Sequence, residues 1–177
     1  MTDWLAILKE SVHEEWENRP VVASLATVDA SSNPHVRHVI CRLIDDQGNI
    51  TITSDARSAK NLQIRGNPHV ELSLWLPQKR QQFRIAGTIS TDSRRDEIWR
   101  NLSDSTRATF FWPTPGQPRT ADQSFDDAIP DTVTPPPNFE VLLLTPDQVE
   151  HLDLNPHPHR RRRWLRSTNW IVEELNP

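Results

Sequence analysis

The sequence predicts a mainly β protein with flanking helices, an α+β fold in which short strands form an antiparallel barrel. Two observations predict it. Short apolar and β-branched runs recur along the chain, and most are separated by tight turn signals. Parallel strands need connections of a dozen or more residues, so tight turns favour antiparallel neighbours. Closing the strands into a barrel also removes exposed sheet edges.

Most of the predicted strands are rich in Val, Ile, Leu or Thr, and they end at clusters of turn residues. The segments with this pattern are 21–28, 35–44, 50–53, 70–76, 82–89, 139–144, 149–154, 161–167 and 170–175. We expect 70–76 and 82–89 to pair as a hairpin, because only the polar turn at 77–80 separates them.

Three segments show helical patterns instead. In segment 3–18, apolar residues recur at steps of three and four, which places them on one helix face. These residues are Leu5, Leu8, Val12 and Trp16. Segment 58–64 is predicted to be a short helix that ends before a Gly-Asn-Pro turn. Segment 92–102 is predicted to be a helix that Thr91 or Asp92 can cap.

The segment 112–138 carries seven of the fifteen prolines and is predicted to be one long loop. Long ordered loops are uncommon and often functional. Too little chain follows this loop to build a second core, so we predict a single domain, 1–177. Cys41 is the single cysteine, which excludes an intrachain disulfide. Its apolar neighbours indicate a small buried side chain, not a nucleophile.

Composition argues against several functions. The formal net charge of −4 gives no overall electrostatic case for binding nucleic acid. No apolar run approaches the roughly 18 residues that span a membrane, and the polar, acidic N-terminus lacks the layout of a signal peptide. These features predict a cytoplasmic protein. His151, His157 and His159 lack nearby Cys or spaced carboxylates, so we predict no metal site.

Four consecutive arginines, Arg160 to Arg163, form a local basic run within a predicted strand. Side chains alternate between the two faces of a strand, so two arginines would lie on each face. Three explanations remain open from the residues alone. The run is solvated, it contacts nucleic acid, or half of it points inward at a phosphate.

Three segments combine charges and hydroxyls in a way that suits a phosphorylated ligand. They are 37–42, 53–60 and 80–87. The second enters a predicted helix, and a helix N-terminus offers free N–H groups and a positive dipole end to a phosphate. Ser58 can donate a hydrogen bond there, while Lys60 and Arg37 can supply charge. Gln82, on the third segment, suits the edge of a flavin ring, which presents both donors and acceptors.

Each feature also has a simpler structural explanation. Arginines on strands are usually solvated or ion-paired, and a Ser at a helix start is usually only a cap. Trp99 and Trp112 are either core residues or aromatic side chains beside the flavin. No serine or cysteine has the partners that a nucleophile would need. The combination of motifs therefore matters more than any one of them.

In their order along the chain, these motifs resemble the pyridoxamine 5'-phosphate oxidase family. The pattern is R-x-V-x-x-(K/R), then (Y/I)-T-(polar)-S-x-K, then N-P, then Q-(V/F)-R-(I/V)-x-G. This chain carries it at 37–42, 52–60, 67–68 and 82–87. The C-terminal part is similar as well, with a strand at 139–144, an Arg-rich strand and the segment 170–177. The resemblance covers nearly the whole chain.

The resemblance implies a six-stranded split β-barrel of the FMN-binding type and a homodimer with FMN at the subunit interface. Arg37, Ser58 and Lys60 would hold the FMN phosphate, with Arg42 closing the first motif. Ile52 and Thr53 would contact the flavin and ribityl chain through their backbone, and Gln82 would face the ring. The partner subunit would supply Gln117 and either Arg162 or Arg163. Compared with the family pattern, this chain has one extra residue before Ser58, and position 59, where the family has a basic residue, is Ala59. Arg57 is therefore an alternative for the role of that basic residue.

The substrate site resembles the family less. The Tyr, Arg and Ser that bind the substrate phosphate in the family appear here as Trp99, Ser103 and Arg107, so Trp99 and Arg107 are the substrate-site candidates. The family's R-L-H segment is absent. The resemblance implies an FMN-dependent oxidoreductase with catalytic residues that the motifs do not identify. The alternatives are a non-catalytic FMN-binding protein for storage, sensing or scaffolding and, more remotely, a haem-handling relative.

Overall fold

The computed structural model describes residues 2–17, 20–126 and 134–177. Four α-helices lie in this part of the chain: α1 (Asp3–Trp16), α2 (Ala59–Gly66), α3 (Arg95–Arg100) and α4 (Asp104–Ala108). Its strands are β1 (Val21–Val28), β2 (Pro34–Ile44), β3 (Ile50–Asp55), β4 (His69–Leu76), β5 (Gln81–Thr91), β6 (Phe139–Asp153), β7 (Arg160–Leu165) and β8 (Val172–Leu175).

The strands form one antiparallel sheet in the order β3-β2-β1-β4-β5-β6-β7-β8. Strand β3 also pairs with β6, so the first six strands of this order close into a ring. β7 and β8 continue outward from β6 as an extra hairpin. The prediction of a six-stranded antiparallel barrel in a mainly β protein is confirmed, as is the hairpin between β4 and β5.

The barrel interior is filled by alternate residues of the ring strands, because successive strand side chains point to opposite faces. Helix α1 contributes Trp4, Leu5 and Leu8 to this same core cluster, all at most 1 % exposed. A second, smaller cluster lies outside the ring, around Trp99 of α3. Its other buried members are Leu102, Phe110, Phe139 and Val141. The second cluster packs α3 and the turn after α4 against the barrel.

The predicted strands 139–144 and 149–154 are wrong as separate elements, since β6 runs without a break through Pro146. Proline cannot donate to a strand ladder and is normally found at irregular positions. Here Pro146 pairs with Gly87 at a register shift, where Asp147 is an extra residue of β6 between the pairs Ala86–Gln148 and Gly87–Pro146. A Cβ on Gly87 would lie 2.1 Å from the carbonyl oxygen of Thr145, so only glycine allows this close approach.

The helix predicted over 92–102 is shorter in the structure, where α3 spans Arg95–Arg100. The Asp92 carboxylate accepts hydrogen bonds from the backbone N–H and the guanidinium of Arg94, which makes a local turn before the helix. Helix α4 was not predicted, because its five residues are too few to show a periodic apolar face. The contacts of Asp92 therefore account for the late start of α3, and the short length of α4 accounts for its absence from the prediction.

The last strand begins at Val172, not at position 170 as predicted. Asn169 and Trp170 adopt left-handed backbone conformations, with φ of 52° and 62°, and so form the turn between β7 and β8. The Pro-rich segment 112–138 is irregular where it is described, and its residues 127–133 lie outside the described part. No helix among the described residues is long and apolar enough to cross a membrane.

Candidate functional site

The segments around positions 37 and 58–60 meet at one end of the barrel. Lys60 Nζ donates to Ser58 Oγ at 3.0 Å. Arg37 donates to Gln63 of α2, which brings its guanidinium to the same helix. The pKa of Lys60 is lowered, first by burial and then by the positive charge of Arg37, while Asp55 and Glu140 act in the opposite direction. Two neighbouring cations beside a hydroxyl are a favourable environment for an anion, because the anion would relieve their repulsion.

Ser58 does not cap α2, although this is the usual role of a serine at a helix start. Its hydroxyl donates to the carbonyl oxygen of Asp55 at 2.7 Å and accepts the Lys60 bond instead. No hydrogen bond joins it to a backbone N–H of the helix. The first turn of α2 therefore keeps N–H groups without a side-chain cap, which suits a phosphate oxygen.

Arg37 is held in place by neutral partners. Its Nη1 donates to Thr27 Oγ1 at 2.6 Å and to the Leu25 carbonyl at 3.2 Å, and its Nη2 donates to Gln63 Oε1 at 2.8 Å. Within the described residues the Arg37 guanidinium forms no ion pair, and its hydrogen-bond partners are a carbonyl, a hydroxyl and an amide oxygen. Burial lowers the pKa of the guanidinium. Arg37 thus keeps an uncompensated positive charge at a fixed position.

A groove of about 400 Å³ extends from Lys60 along the outside of β2 and β3. Its walls combine cations, hydroxyls and apolar side chains, and none of its lining residues is a carboxylate. The lining residues are His38, Val39, Ile40, Arg42, Thr53, Lys60, Ser105, Thr106, Thr109 and Phe110. Such a surface favours a ligand that carries negative charge and also has an apolar part.

The motif residues of β2 and β3 lie side by side in this groove. Arg42 Nε donates to Thr53 Oγ1 at 3.3 Å, and burial lowers the pKa of the Arg42 guanidinium. Ile52 is fully buried, so its side chain belongs to the barrel core and only its backbone could reach a ligand. Thr53 points the opposite way because it is the next residue along β3.

Arg57 is occupied by other contacts. Its guanidinium forms an ion pair with Asp55 at 2.7 Å and donates to the carbonyl oxygen of Trp112 at 3.0 Å. Asn138 donates to the same Asp55 carboxylate at 3.0 Å. These bonds tie both ends of the Pro-rich segment to the start of α2. The geometry favours a structural role for Arg57, while its role in cofactor binding stays a prediction.

Gln82 lies in a separate, smaller pocket of about 140 Å³. Its Nε2 donates to Ser73 Oγ at 3.3 Å, and the pocket also contains Arg84, Glu150 and Arg161. Strand β5 is separated from β2 by β4 and β1, which is three strand spacings, or about 14 Å. Gln82 therefore does not join Arg37 and Lys60 in one pocket of the protomer.

The arginine run alternates as the strand pattern predicts. Arg161 and Arg163 point to the outer face, where they pair with Glu150 and Glu173 at 2.6 and 2.8 Å. Arg162 points the other way, and its Nη2 donates to His151 Nδ1 at 3.1 Å. Of the two arginines predicted to reach the flavin of the partner, Arg163 lies on the outer face, whereas Arg162 is turned toward the core.

The remaining predicted residues, Trp99, Arg107 and Gln117, do not line the groove. Trp99 is 1 % exposed and packs edge-on against aromatic neighbours, which agrees with its interpretation as a core residue. Arg107 pairs with Asp104 and lies 5.9 Å from the Trp99 ring centroid. Gln117 is exposed in the Pro-rich segment, and its backbone N–H donates to Thr114.

Sequence reasoning missed several residues of these pockets. Ser105, Thr106 and Thr109 bring hydroxyls to the groove from α4 and the turn that follows it. Arg161 joins the pocket of Gln82. The predicted alternation of arginines was the one signal that could have singled out Arg161 together with Arg163.

Comparison with known proteins identifies the family. Residues 1–93, just over half of the chain, match the model of the family described as pyridoxamine 5'-phosphate oxidase, FMN-binding domain. The chain belongs to this family. The match contains the segments at 37–42, 52–60 and 82–87, so the motifs that suggested the resemblance lie within the family domain.

Members of the family with solved structures or curated names extend the match to the whole chain. A pyridoxamine 5'-phosphate oxidase-related, FMN binding protein from Nostoc punctiforme shares 32 % identity with a TM-score of 0.91, covering 100 % of this chain and 99 % of that one. Pyridoxine/pyridoxamine 5'-phosphate oxidase 2 of Arabidopsis thaliana is 28 % identical over 86 % of this chain and 85 % of its own length. The Haemophilus influenzae pyridoxine/pyridoxamine 5'-phosphate oxidase is 26 % identical over 96 % and 85 %.

Proposed function

We propose that this family member binds FMN in the groove beside β2 and β3. The observation that carries the proposal is the cluster of Arg37, Ser58 and Lys60, where two cations and a hydroxyl meet at the start of α2 and neither cation forms an ion pair within the described residues. The phosphate would bind there, at the start of α2. The ribityl chain and ring would extend along the groove past Thr53 toward Arg42.

Bound FMN would supply the redox chemistry, and the protein would supply position and electrostatics. The backbone of Ile52 and Thr53 would orient the cofactor, because these residues are fixed by pairing of β3 with both β2 and β6. Arg42, half-buried and bonded to Thr53, would place a positive charge beside the ligand. Phe110 and Ile40 would exclude water from its apolar part.

The functional unit that we propose is a homodimer. Gln82 and Arg163 face outward, in places that the groove of the same protomer does not reach. The outer face between them and the groove carries exposed apolar side chains, including Val36 at 68 % and Trp75 at 47 %. A second copy packed on this face would cover those side chains and bring its own residues to the groove. In the dimer, Gln117 and Arg163 of the partner subunit are the candidates to close the site.

We further propose that the chain is a flavin-dependent oxidoreductase. The support is the chain-long similarity to proteins named pyridoxine/pyridoxamine 5'-phosphate oxidase. A second candidate is a flavin-binding protein without turnover. One observation favours it: Trp99 is buried in an aromatic cluster and Arg107 is paired with Asp104, so neither is free to bind a substrate phosphate.

Two measurements on the purified full-length protein test these proposals. FMN titration should quench flavin fluorescence with saturation at one FMN per chain, and a protein that leaves the flavin signal unchanged would refute FMN binding. Anaerobic mixing of the FMN-loaded protein with pyridoxamine phosphate should then bleach the flavin absorbance if the chain is an oxidase. Stable binding without bleaching by this or other amines would favour the non-catalytic candidate.

A further inference from the structure

Asp55, the last residue of β3, organises the turn that leads into α2. Its backbone carbonyl oxygen accepts hydrogen bonds from the backbone N–H of Ser58 at 3.0 Å, from the Ser58 hydroxyl at 2.7 Å and from Asn61 Nδ2. Its carboxylate accepts the backbone N–H of Arg57 at 2.8 Å and the Arg57 guanidinium at 2.7 Å. The conformation of segment 55–61 therefore depends on both the side chain and the carbonyl of this one residue.

A second serine shows what Asp55 changes at the start of α2. Ser103 precedes α4, and its hydroxyl accepts the backbone N–H of Thr106 at 3.3 Å, which is the usual capping bond. Ser58 has the extended backbone of an N-cap residue, with φ of −75° and ψ of 150°, but its hydroxyl donates to Asp55 and makes no capping bond. The hydroxyl thus stays beside Lys60, and the helix start stays open to an anion.

The Asp55 carboxylate is also held by the two ends of the Pro-rich segment. Asn138 Nδ2 donates to it at 3.0 Å and to the Phe110 carbonyl at 2.8 Å, while Arg57 links it to the Trp112 carbonyl. Burial raises the pKa of Asp55, but the hydrogen bonds from Arg57 outweigh burial, so the pKa is lowered. A carboxylate near an anion site would repel the anion, and the ion pair with Arg57 offsets that repulsion.

We propose that Asp55 is a positioning residue that gives the site its preference for FMN over riboflavin, the flavin without the phosphate. The inference rests on the proposed function and deepens it. Asp55 does not contact the phosphate in this assignment, because its carboxylate is occupied by Arg57 and Asn138. It acts through Ser58 and the backbone at the start of α2. A residue that only stabilised the fold would change the affinities for both flavins alike.

The test is fluorescence titration of the full-length protein with FMN and with riboflavin. The ratio of the two affinities measures recognition of the phosphate and does not depend on the fraction of folded protein. Asp55→Asn keeps an acceptor for the backbone N–H of Arg57 but loses the ion pair, and Asp55→Ala loses both.

The matched controls are Asp45→Asn and Asp45→Ala. Asp45 holds a turn of the same kind between β2 and β3, where its carboxylate accepts the backbone N–H groups of Gln47 at 2.9 Å and Asn49 at 2.8 Å. It does not line the groove. The controls therefore remove the same type of turn contact at a place where no phosphate is proposed to bind.

We expect Asp55→Asn to lower the ratio of FMN affinity to riboflavin affinity by about tenfold, the effect of one lost hydrogen bond to a charged group, and Asp55→Ala to lower it further. Both Asp45 variants should leave the ratio within about twofold. If Asp55→Ala does not fold, Asp55→Asn and Asn138→Ala decide the question. Asn138→Ala removes the second donor to the Asp55 carboxylate and should also lower the ratio.

Two results would overturn the role of Asp55 and leave FMN binding intact. One is an unchanged ratio in the Asp55 and Asn138 variants. The other is a raised ratio, which would mean that Asp55 withholds Arg57 from the phosphate. A protein that binds neither flavin before any substitution would instead overturn the proposed function, so the two failures are distinguishable.

Discussion

The phosphate end of the groove and the pocket of Gln82 differ in how their charges are neutralised. At the phosphate end, Arg37 and Lys60 donate to neutral groups and form no ion pair within the described residues, although Asp55 and Glu140 lie near enough to act on the pKa of Lys60. In the other pocket, Arg84 and Arg161 share the carboxylate of Glu150. One end is therefore prepared for an anion, whereas the other is balanced and suits a neutral polar ring edge.

We infer from this difference that a single protomer supplies the charged part of the proposed site, and our proposal assigns the rest to a second subunit. A binding site for a free anion needs only one chain if its cations are held by local contacts. Orientation of a flat ring needs walls on both sides, and the outer face of β2 offers one wall.

Separation of the subunits should release FMN altogether. If the ring depends on a second copy, a monomer keeps only the phosphate contacts, and these do not enclose the ring. The FMN-loaded protein is diluted, and sedimentation and flavin fluorescence are followed in parallel. Dissociation of the dimer and release of FMN should occur at the same protein concentration. A monomer that retains FMN would show that one chain builds the whole site.

The double variant Arg37→Ala and Lys60→Ala should weaken FMN binding by a factor of about 100 to 10,000. Hydrogen bonds to charged groups are worth roughly 1.5–3 kcal/mol each, and two are lost. Fluorescence titration measures the affinity. The control, Lys9→Ala with Arg100→Ala, removes a partly exposed charge that pairs with Asp46 and an exposed charge, both outside the groove, and should leave affinity within about twofold. Equal effects of the two double variants would reject a specific phosphate site.

Acid should lower the free energy of unfolding because of His151, which lies on β6 beside β7. This ring is 1 % exposed, stacks on Phe83, and accepts a hydrogen bond from Arg162. Burial, and then the charge of Arg162, lowers the pKa of His151 to about 4. Between about pH 6.5 and 4 the unfolded chain binds a proton that the folded chain excludes, so stability falls as pH falls through this range.

The expected loss from His151 is on the order of 3 kcal/mol between pH 7 and pH 4. Urea unfolding at both pH values measures it. The variant His151→Gln keeps an acceptor for Arg162 and cannot titrate, so its stability should depend less on pH than that of the unmodified protein. The same pH dependence in both proteins would mean that other groups cause the acid sensitivity.

Gln82→Ala should have the smallest effect, a weakening of FMN binding by roughly twofold to tenfold. A hydrogen bond between neutral groups contributes about 0.5–1.5 kcal/mol. The conservative variant Gln82→Asn and the neighbour variant Ser73→Ala serve as controls for shape and for loss of the internal bond. A loss as large as that of the Arg37 and Lys60 double variant would contradict the charge difference between the two ends.

Much of the fold could be predicted because apolar alternation is a local signal. The bounds of β1 were predicted correctly, and those of β2 and β4 lie within one residue of the prediction. The errors lie where non-local contacts override local preferences. Pro146 suggested a break, but the close approach of Gly87 lets β6 continue. Asp92 suggested a helix cap, but its carboxylate holds Arg94.

For the site, the sequence could predict that Ser58 and Lys60 lie together, because they are two residues apart at a helix start. The position of Arg37 on β2 depends on its tertiary contact with Gln63 of α2, and its role in holding a phosphate stays a prediction. Strand alternation could predict that Arg162 and Arg163 point to opposite faces, but not which of the two points inward, since that depends on His151 of the neighbouring strand. The hydroxyls of Ser105 and Thr109 reach the groove through the packing of Phe110 in the second cluster. Such long-range contacts leave no periodic signal.

Strand β8 has a consequence for how the protein behaves in concentrated solution. In the described part of the chain β8 is an edge strand of the sheet and is only four residues long. Its Glu173 and Glu174 accept hydrogen bonds from Arg163 and Arg160 of β7. A short border with paired negative side chains is a poor template for the strand of another molecule. Charge removal at these two glutamates is therefore the change most apt to promote fibrous aggregation, even though neither residue touches the ring of six strands.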